Sequence, residues 1–221
     1  MNAANAKDNT LSRVLRSELF FFPPVDWMAQ AIHTDFWQLD THEHYQKQSW
    51  RNRCQILSAN GPLNLIVPVK HQGKMAAKEV RIDYSESWAR VHLGTLQSSY
   101  GKSPWFEHYF PILEPLWRKQ HVFLLDFQLL ALQFCIKTLH VNPQMEFSKA
   151  FSEFEPTDTK AEIVDLRGQF SPKKESGLAS LSVKPYYQSF GSTFVNGLSI
   201  LDLLFQQGPA SRRHLQNDRT L

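Results

Sequence analysis

Leu19-Phe20-Phe21-Phe22-Pro23-Pro24, then Trp27-Met28 and Ala31-Ile32, then Asp35-Phe36-Trp37-Gln38-Leu39-Asp40, is the stretch that decides the fold. The first run is short, aromatic and stopped by two prolines, which predicts a buried strand. Pro24 suits the opening of a helix, where its missing N–H costs nothing. Trp27, Met28, Ala31 and Ile32 recur at helical spacing and make one apolar stripe. Residues 35–40 read as the next strand, so the chain opens with a β-α-β unit. Ligands of open parallel sheets gather beyond the carboxyl ends of the strands. Pro23, Pro24 and Asp40 are therefore expected at one rim.

Further along, Asn60-Gly61 separates the arms 51–57 and 63–69, the pattern of a hairpin closed by a tight turn. A short strand is predicted over 80–84. Ser85 is expected to cap a helix running to about residue 100. Two more helices follow over 111–120 and 122–140, the second as the central one. Strands are expected at 144–148, 162–166 and 184–190, with a long loop over 168–182. Ser199-x-x-Asp202 has the form of a capping box before a helix ended by Gly208-Pro209. Residues 1–17 are polar and expected to fray, with a weak helix near 11–16, and 210–221 read as a polar tail. The whole predicts one α/β domain over 18–209: a mixed sheet opened by β-α-β, a β-hairpin and a helical middle segment.

Composition narrows the function. With 221 residues and 42% hydrophobic content, the chain can bury a real core. Its net charge of +3 is too small to indicate nucleic-acid binding. Residues 44–81 nevertheless carry seven cations against Glu79, a sector of +6. Such a sector on a near-neutral protein favours an anionic small ligand over a long polyanion. Cys54 and Cys135 are too few for a disulfide framework and read as buried thiols. The opening residues lack the apolar core of a signal peptide, and Asp126, Gln128, Gln133 and Lys137 interrupt the most apolar segment. No membrane span is expected, and the cytoplasm is the default compartment.

The densest chemistry lies in 40–53, where Asp40, His42, His44, Lys47, Arg51, Asn52 and Arg53 crowd a short polar run. Asp40 would end a strand at the ligand rim, able to bind a hydroxyl, orient an amine or act as a base. Lys47, Arg51 and Arg53 could clamp a diphosphate or carboxylate. Strand alternation places Asn52 opposite Arg53, so either a bulge brings both to one pocket or Asn52 is a buried amide held by backbone. His42-x-His44 with Asp40 has metal-ligand spacing but lacks a fourth ligand, and no metal is expected. Cys54 and His92 could form a nucleophile and base, with core packing the plainer reading. No glycine-rich phosphate loop is present, and no cofactor is expected.

The run from His44 to Arg53, followed by Asn60-Gly61 and Leu65-Ile66-Val67-Pro68-Val69, resembles the WbqC-like family of bacterial proteins. Phe20 to Pro24, Val80-Arg81-Ile82-Asp83 with Trp88, and Lys184-Pro185-Tyr186-Tyr187-Gln188-Ser189-Phe190 with residues 198–205 resemble its other motifs. The chain departs from the family pattern at Val25-Asp26, and at His42 and His44, which weighs against a family-wide metal site. The resemblance implies a cytoplasmic role in surface polysaccharide biosynthesis, as a transferase placing an acyl or aminoacyl group on a nucleotide-linked amino sugar. It implies that Arg51 and Arg53 hold the diphosphate, Asp40 handles the sugar amine and Lys47 neutralises the oxyanion. Asn52 falls among the motif residues, and Gln188 and Tyr186 would line the pocket from the far end of the chain. A non-catalytic binding or scaffold protein of the same pathway is the alternative, and a nucleic-acid binder ranks last.

Overall fold

A computed structural model describes residues 13–70, 73–151, 153–154, 161–172 and 183–216. Parallel and antiparallel strands are both present, divided between one parallel sheet and two antiparallel pairs. The sheet contains β1 (Arg13–Glu18), β2 (Phe36–Asp40), β7 (Gln144–Phe147) and β8 (Glu162–Asp165), in the order β7-β2-β1-β8. All three pairings are parallel. β2 and β7 are added on one side of β1, and β8 returns to the other. The strand order thus reverses at β1, where an open α/β sheet leaves a crevice at its carboxyl edge.

The first strand is Arg13–Glu18, not the aromatic run after it. Much of the segment expected to fray is therefore the inner strand of the sheet. Leu15 and Ser17 face α1 (Val25–Ala31), whose Trp27 donates to the Ser17 hydroxyl at 2.9 Å and packs edge-on to Trp37. The other face is polar. Arg16 donates to Gln38 at 2.9 and 2.7 Å, and Gln38 donates to Glu146 at 3.0 Å, a file running across three strands. Residues 19–22 instead leave the sheet and enter the helical layer. Phe22, at φ 47°, stacks on Trp117 at 5.4 Å, while Phe21 meets Phe127 at 5.0 Å.

The hairpin forms where expected, as β3 (Arg53–Ser58) and β4 (Gly61–Ile66), with Ser58 paired to Gly61 across the turn. β5 (Val69–Lys70) and β6 (Arg81–Ile82) make the second small pair. The helical middle consists of α2 (Trp88–Tyr100), α3 (Phe106–Arg118) and α4 (Leu124–Thr138). Residues 184–190, expected as a strand, have no regular structure. The expected loop over 168–182 lies outside the described residues beyond 172.

α5 (Ile200–Gln207) begins at Ser199, whose hydroxyl accepts from the Leu201 N–H at 3.3 Å. The capping box is only half made, because Asp202 turns inward to accept from Tyr100 at 2.7 Å and Tyr186 at 2.8 Å. Gly208 ends this helix at φ +54°, and its position is dictated twice. A Cβ there would lie 2.2 Å from the Trp105 ring, and that φ already disfavours side chains. Part of the expected polar tail is α6 (Ala210–Gln216), which packs on α1 and α5.

Candidate functional site

Three strands end in acids at the same edge: β1 in Glu18, β2 in Asp40 and β8 in Asp165. Glu18 and Asp40 are register partners, and Asp165 lies two register rows behind them beside Arg16, on the same face of the sheet. A cleft of about 600 Å³ opens over this edge, with Asp40, Glu43, Arg51, Asp165 and Arg167 among its walls. It lies at the point where the strand order reverses, the usual ligand position of such a sheet.

Arg51 organises the floor. Its Nε donates to Glu43 Oε1 at 2.6 Å, a second nitrogen bonds the other Glu43 oxygen, and Nη2 reaches Glu18 at 3.3 Å. Arg51 is 3% exposed and Glu18 1%, so one guanidinium neutralises two carboxyl groups with almost no water. Two buried acids sharing one cation cannot both ionise cheaply. Burial pushes both upward against the pull of Arg51, Glu43 to about 7. On the far wall Gly168, at φ +67°, turns its N–H to both Glu18 oxygens at 3.2 Å. Burial works to raise the neighbouring Asp165 carboxyl. The two-pronged Arg167 contact, at 2.9 and 2.6 Å, outweighs that and holds Asp165 below its usual range.

Asp40 is fixed from the side. The Ser148 hydroxyl donates to Asp40 Oδ1 at 2.9 Å and the His42 N–H at 3.1 Å. His42 Nδ1 meets Ser148 Oγ at 3.1 Å, and its Nε2 lies 2.7 Å from the Lys78 ammonium. An ammonium can only donate, so His42 carries its ring proton on Nδ1. The loop bearing Lys78 is stitched to the cleft segment, with Lys78 N–H on Thr41 O at 3.0 Å and Ala77 N–H on Glu43 O at 2.8 Å.

Of the residues expected from the sequence, the structure brings Asp40 and Arg51 to this cleft. Arg51 is bonded to two carboxyl groups there, which leaves it unsuited to clamp a diphosphate. Lys47 is exposed and does not line the cleft. Arg53 lies on β3 with its Nε buried and without a partner among the described residues. Asn52 proves to be the buried amide, its Nδ2 donating to Val67 O at 2.8 Å and its main-chain carbonyl accepting from Val67 N–H at 2.7 Å, while its Oδ1 has no hydrogen-bond partner among the described residues. Tyr186 is bonded to Asp202, and Gln188 closes a loop through Val195 with two bonds of 2.9 Å. Cys54 and His92 form no couple. His92 donates from Nε2 to Ile66 O and accepts at Nδ1 from Trp117, and burial pushes it down to about 4.

Glu18, Glu43, Asp165 and Arg167 were not singled out from the sequence. Glu18 and Asp165 had the same signal as Asp40, an acid closing a strand. For Glu18 that strand had been placed too late in the chain. No group of His, Cys, Asp and Glu among the described residues could hold a metal ion. No described helix is long and apolar enough to cross a membrane.

Parallel strands in this order, with an acid-lined cleft at their carboxyl edge, define an α/β protein. The chain belongs to the WbqC-like protein family, whose model matches residues 20–175. No curated protein and no solved structure matched it. The matched span takes in Asp40, Glu43, Arg51, Asp165 and Arg167. It excludes Glu18 and the closing motif at 184–205.

Proposed function

We propose that this protein acts in bacterial surface polysaccharide biosynthesis, as a transferase placing an acyl or aminoacyl group on the amine of a nucleotide-linked sugar. The observation that carries the reading is the cleft floor. Asp40, Glu43 and Asp165 line it and Glu18 is buried behind Arg51, so that among the described residues four acids are set against Arg51 and Arg167, an arrangement that favours an ammonium over a phosphate. Glu43, with its affinity for protons raised to near neutrality, suits the role of base. Asp40 orients the ammonium, and Glu43 takes one of its protons. The freed amine forms a bond to the carbonyl carbon of an activated acyl donor as the donor's bond to its carrier breaks, and the second amine proton leaves with the carrier. The anionic nucleotide lies toward the exposed Lys74 and Lys78 of the bordering loop. Lys47 and Arg53 have no part in this scheme.

Calorimetry with nucleotide-linked amino sugars, and with the same nucleotides bearing hydroxyl sugars, tests it. The amino sugars should bind at least about tenfold tighter, a margin of roughly 1.4 kcal/mol, and Asp40→Asn should erase it. Absence of binding by every nucleotide-linked sugar would sink the proposal. One observation favours a non-catalytic binding protein of the same pathway: Met145 and Phe147 are exposed along the edge strand β7. That reading predicts ligand binding without any acylated product by mass spectrometry.

A further inference from the structure

At the mouth of the cleft stands an aromatic ring with one face covered and much of its surface open. Phe151 is 59% exposed, lines the cleft, and stacks on His44 with ring centres 4.9 Å apart at 27°. A single exposed aromatic is ordinary on a protein surface. This one is held in place from both ends. Immediately before it, Ser148 N–H is bonded to Leu39 O at 3.1 Å and Ser148 Oγ to Asp40. Around it, Lys149 N–H donates to Glu153 O at 2.9 Å and Glu153 N–H to Ala150 O at 3.1 Å, a tight turn with Phe151 near its tip. His44, on the other side, is bridged to Ala76. The same Ser148 thus ties the turn carrying the ring to the carboxylate on the floor.

We infer that Phe151, backed by His44, is the platform on which the pyranose ring of an amino sugar lies, its ammonium and hydroxyls directed to the carboxyl groups of the cleft floor. The inference rests on the transferase reading above and names the part of the substrate that the cleft recognises. An aromatic face is the negative side of the ring and attracts positively polarised C–H groups and ammonium. The floor beneath supplies hydrogen-bond acceptors, which hydroxyls and an ammonium satisfy. A nucleobase on the same platform would bring its phosphates toward Asp40, Glu43 and Asp165, where like charges repel.

Saturation-transfer NMR with free glucosamine, glucose and a nucleoside diphosphate tests this on the intact chain. Glucosamine should receive saturation at its ring C–H protons. Its binding should weaken about five- to tenfold in Phe151→Ala and persist in Phe151→Trp. The exposure of Phe151 predicts an unchanged melting temperature for both variants, measured in parallel. Equal glucosamine binding by wild type and Phe151→Ala overturns the inference. So does Phe151-dependent saturation of nucleobase protons. In either case the transferase reading survives if nucleotide-linked amino sugars still bind. If neither glucosamine nor any nucleotide-linked sugar binds the wild type, both fall together.

Discussion

Arg51 reaches Glu18, the last residue of the first strand, at 3.3 Å, although it belongs to the segment leading into the hairpin. One guanidinium thereby fastens the hairpin's approach to the floor of the parallel sheet. Removing it strands two carboxyl groups away from water. Arg51→Ala should lower stability by about 3–5 kcal/mol, read as a shift in the urea midpoint. Arg51→Lys should recover only part of that, because an ammonium cannot make the forked contact with Glu43.

The Glu43 carboxyl makes a contribution to stability that grows as the pH falls. Glu43 titrates at about 7 in the folded chain against 4.5 for an ordinary glutamate. Its contribution is complete below pH 4.5, where folded and unfolded chains both hold the proton. It is lost as the pH rises toward 7, where the unfolded chain has already released the proton. The loss is at most about 3.5 kcal/mol. Glu18 and Asp202 are also shifted upward by burial and add the same sign. His92, pushed by burial to about 4 from an ordinary 6.5, acts with the opposite sign over much of the same range, so the test is a difference: in thermal melts from pH 4.5 to 7.5, Glu43→Gln should gain stability relative to the wild type as the pH rises.

Asp202 is fully buried and accepts both tyrosine hydroxyls, so its removal leaves two phenol O–H donors without their acceptor. Asp202→Ala should cost about 2–4 kcal/mol. Combined with Tyr100→Phe and Tyr186→Phe, the same change should cost less than the three single losses added together. A chemical-denaturation cycle measures that difference.

Gly208→Ala should be among the most damaging small substitutions in the chain. Either the helix end or Trp105 must move to admit a methyl group whose place lies within the indole ring. A loss of several kcal/mol, as for other overpacked and strained sites, should appear as a fall in melting temperature of 10 °C or more, roughly. Gly73→Ala provides the comparison. It shares a positive φ but meets nothing within 4 Å, so only backbone strain should register.

Most of this architecture could be read from residue order. Asn60-Gly61 located the hairpin, and periodicity located the three middle helices to within a few residues at most of their ends. The first strand escaped because Arg13, Arg16 and Glu18 look solvated. In the fold Arg16 meets Gln38 and Glu18 meets Arg51, so these polar groups are covered and the strand shows no simple apolar-polar alternation. The run Leu19 to Phe22 has stronger strand composition yet serves as packing for Trp117 and Phe127. The cleft was legible at Asp40, where an acid closes a strand. The positive charge of 44–81 pointed elsewhere, since sequence reports how many cations a segment holds but not which acids they meet. Glu18 and Asp165 are 147 positions apart, and only the sheet makes them neighbours across β1 and β8.

That separation has a kinetic meaning. Arg13 to Arg16 pair with residues 162–165, so the central strand stays open along one edge until nearly three-quarters of the chain has left the ribosome. Long-range parallel pairing of this kind folds late and slowly. The cleft therefore cannot be completed before β8 has been made, and occupancy by ligand would report that synthesis and folding have both run through that strand.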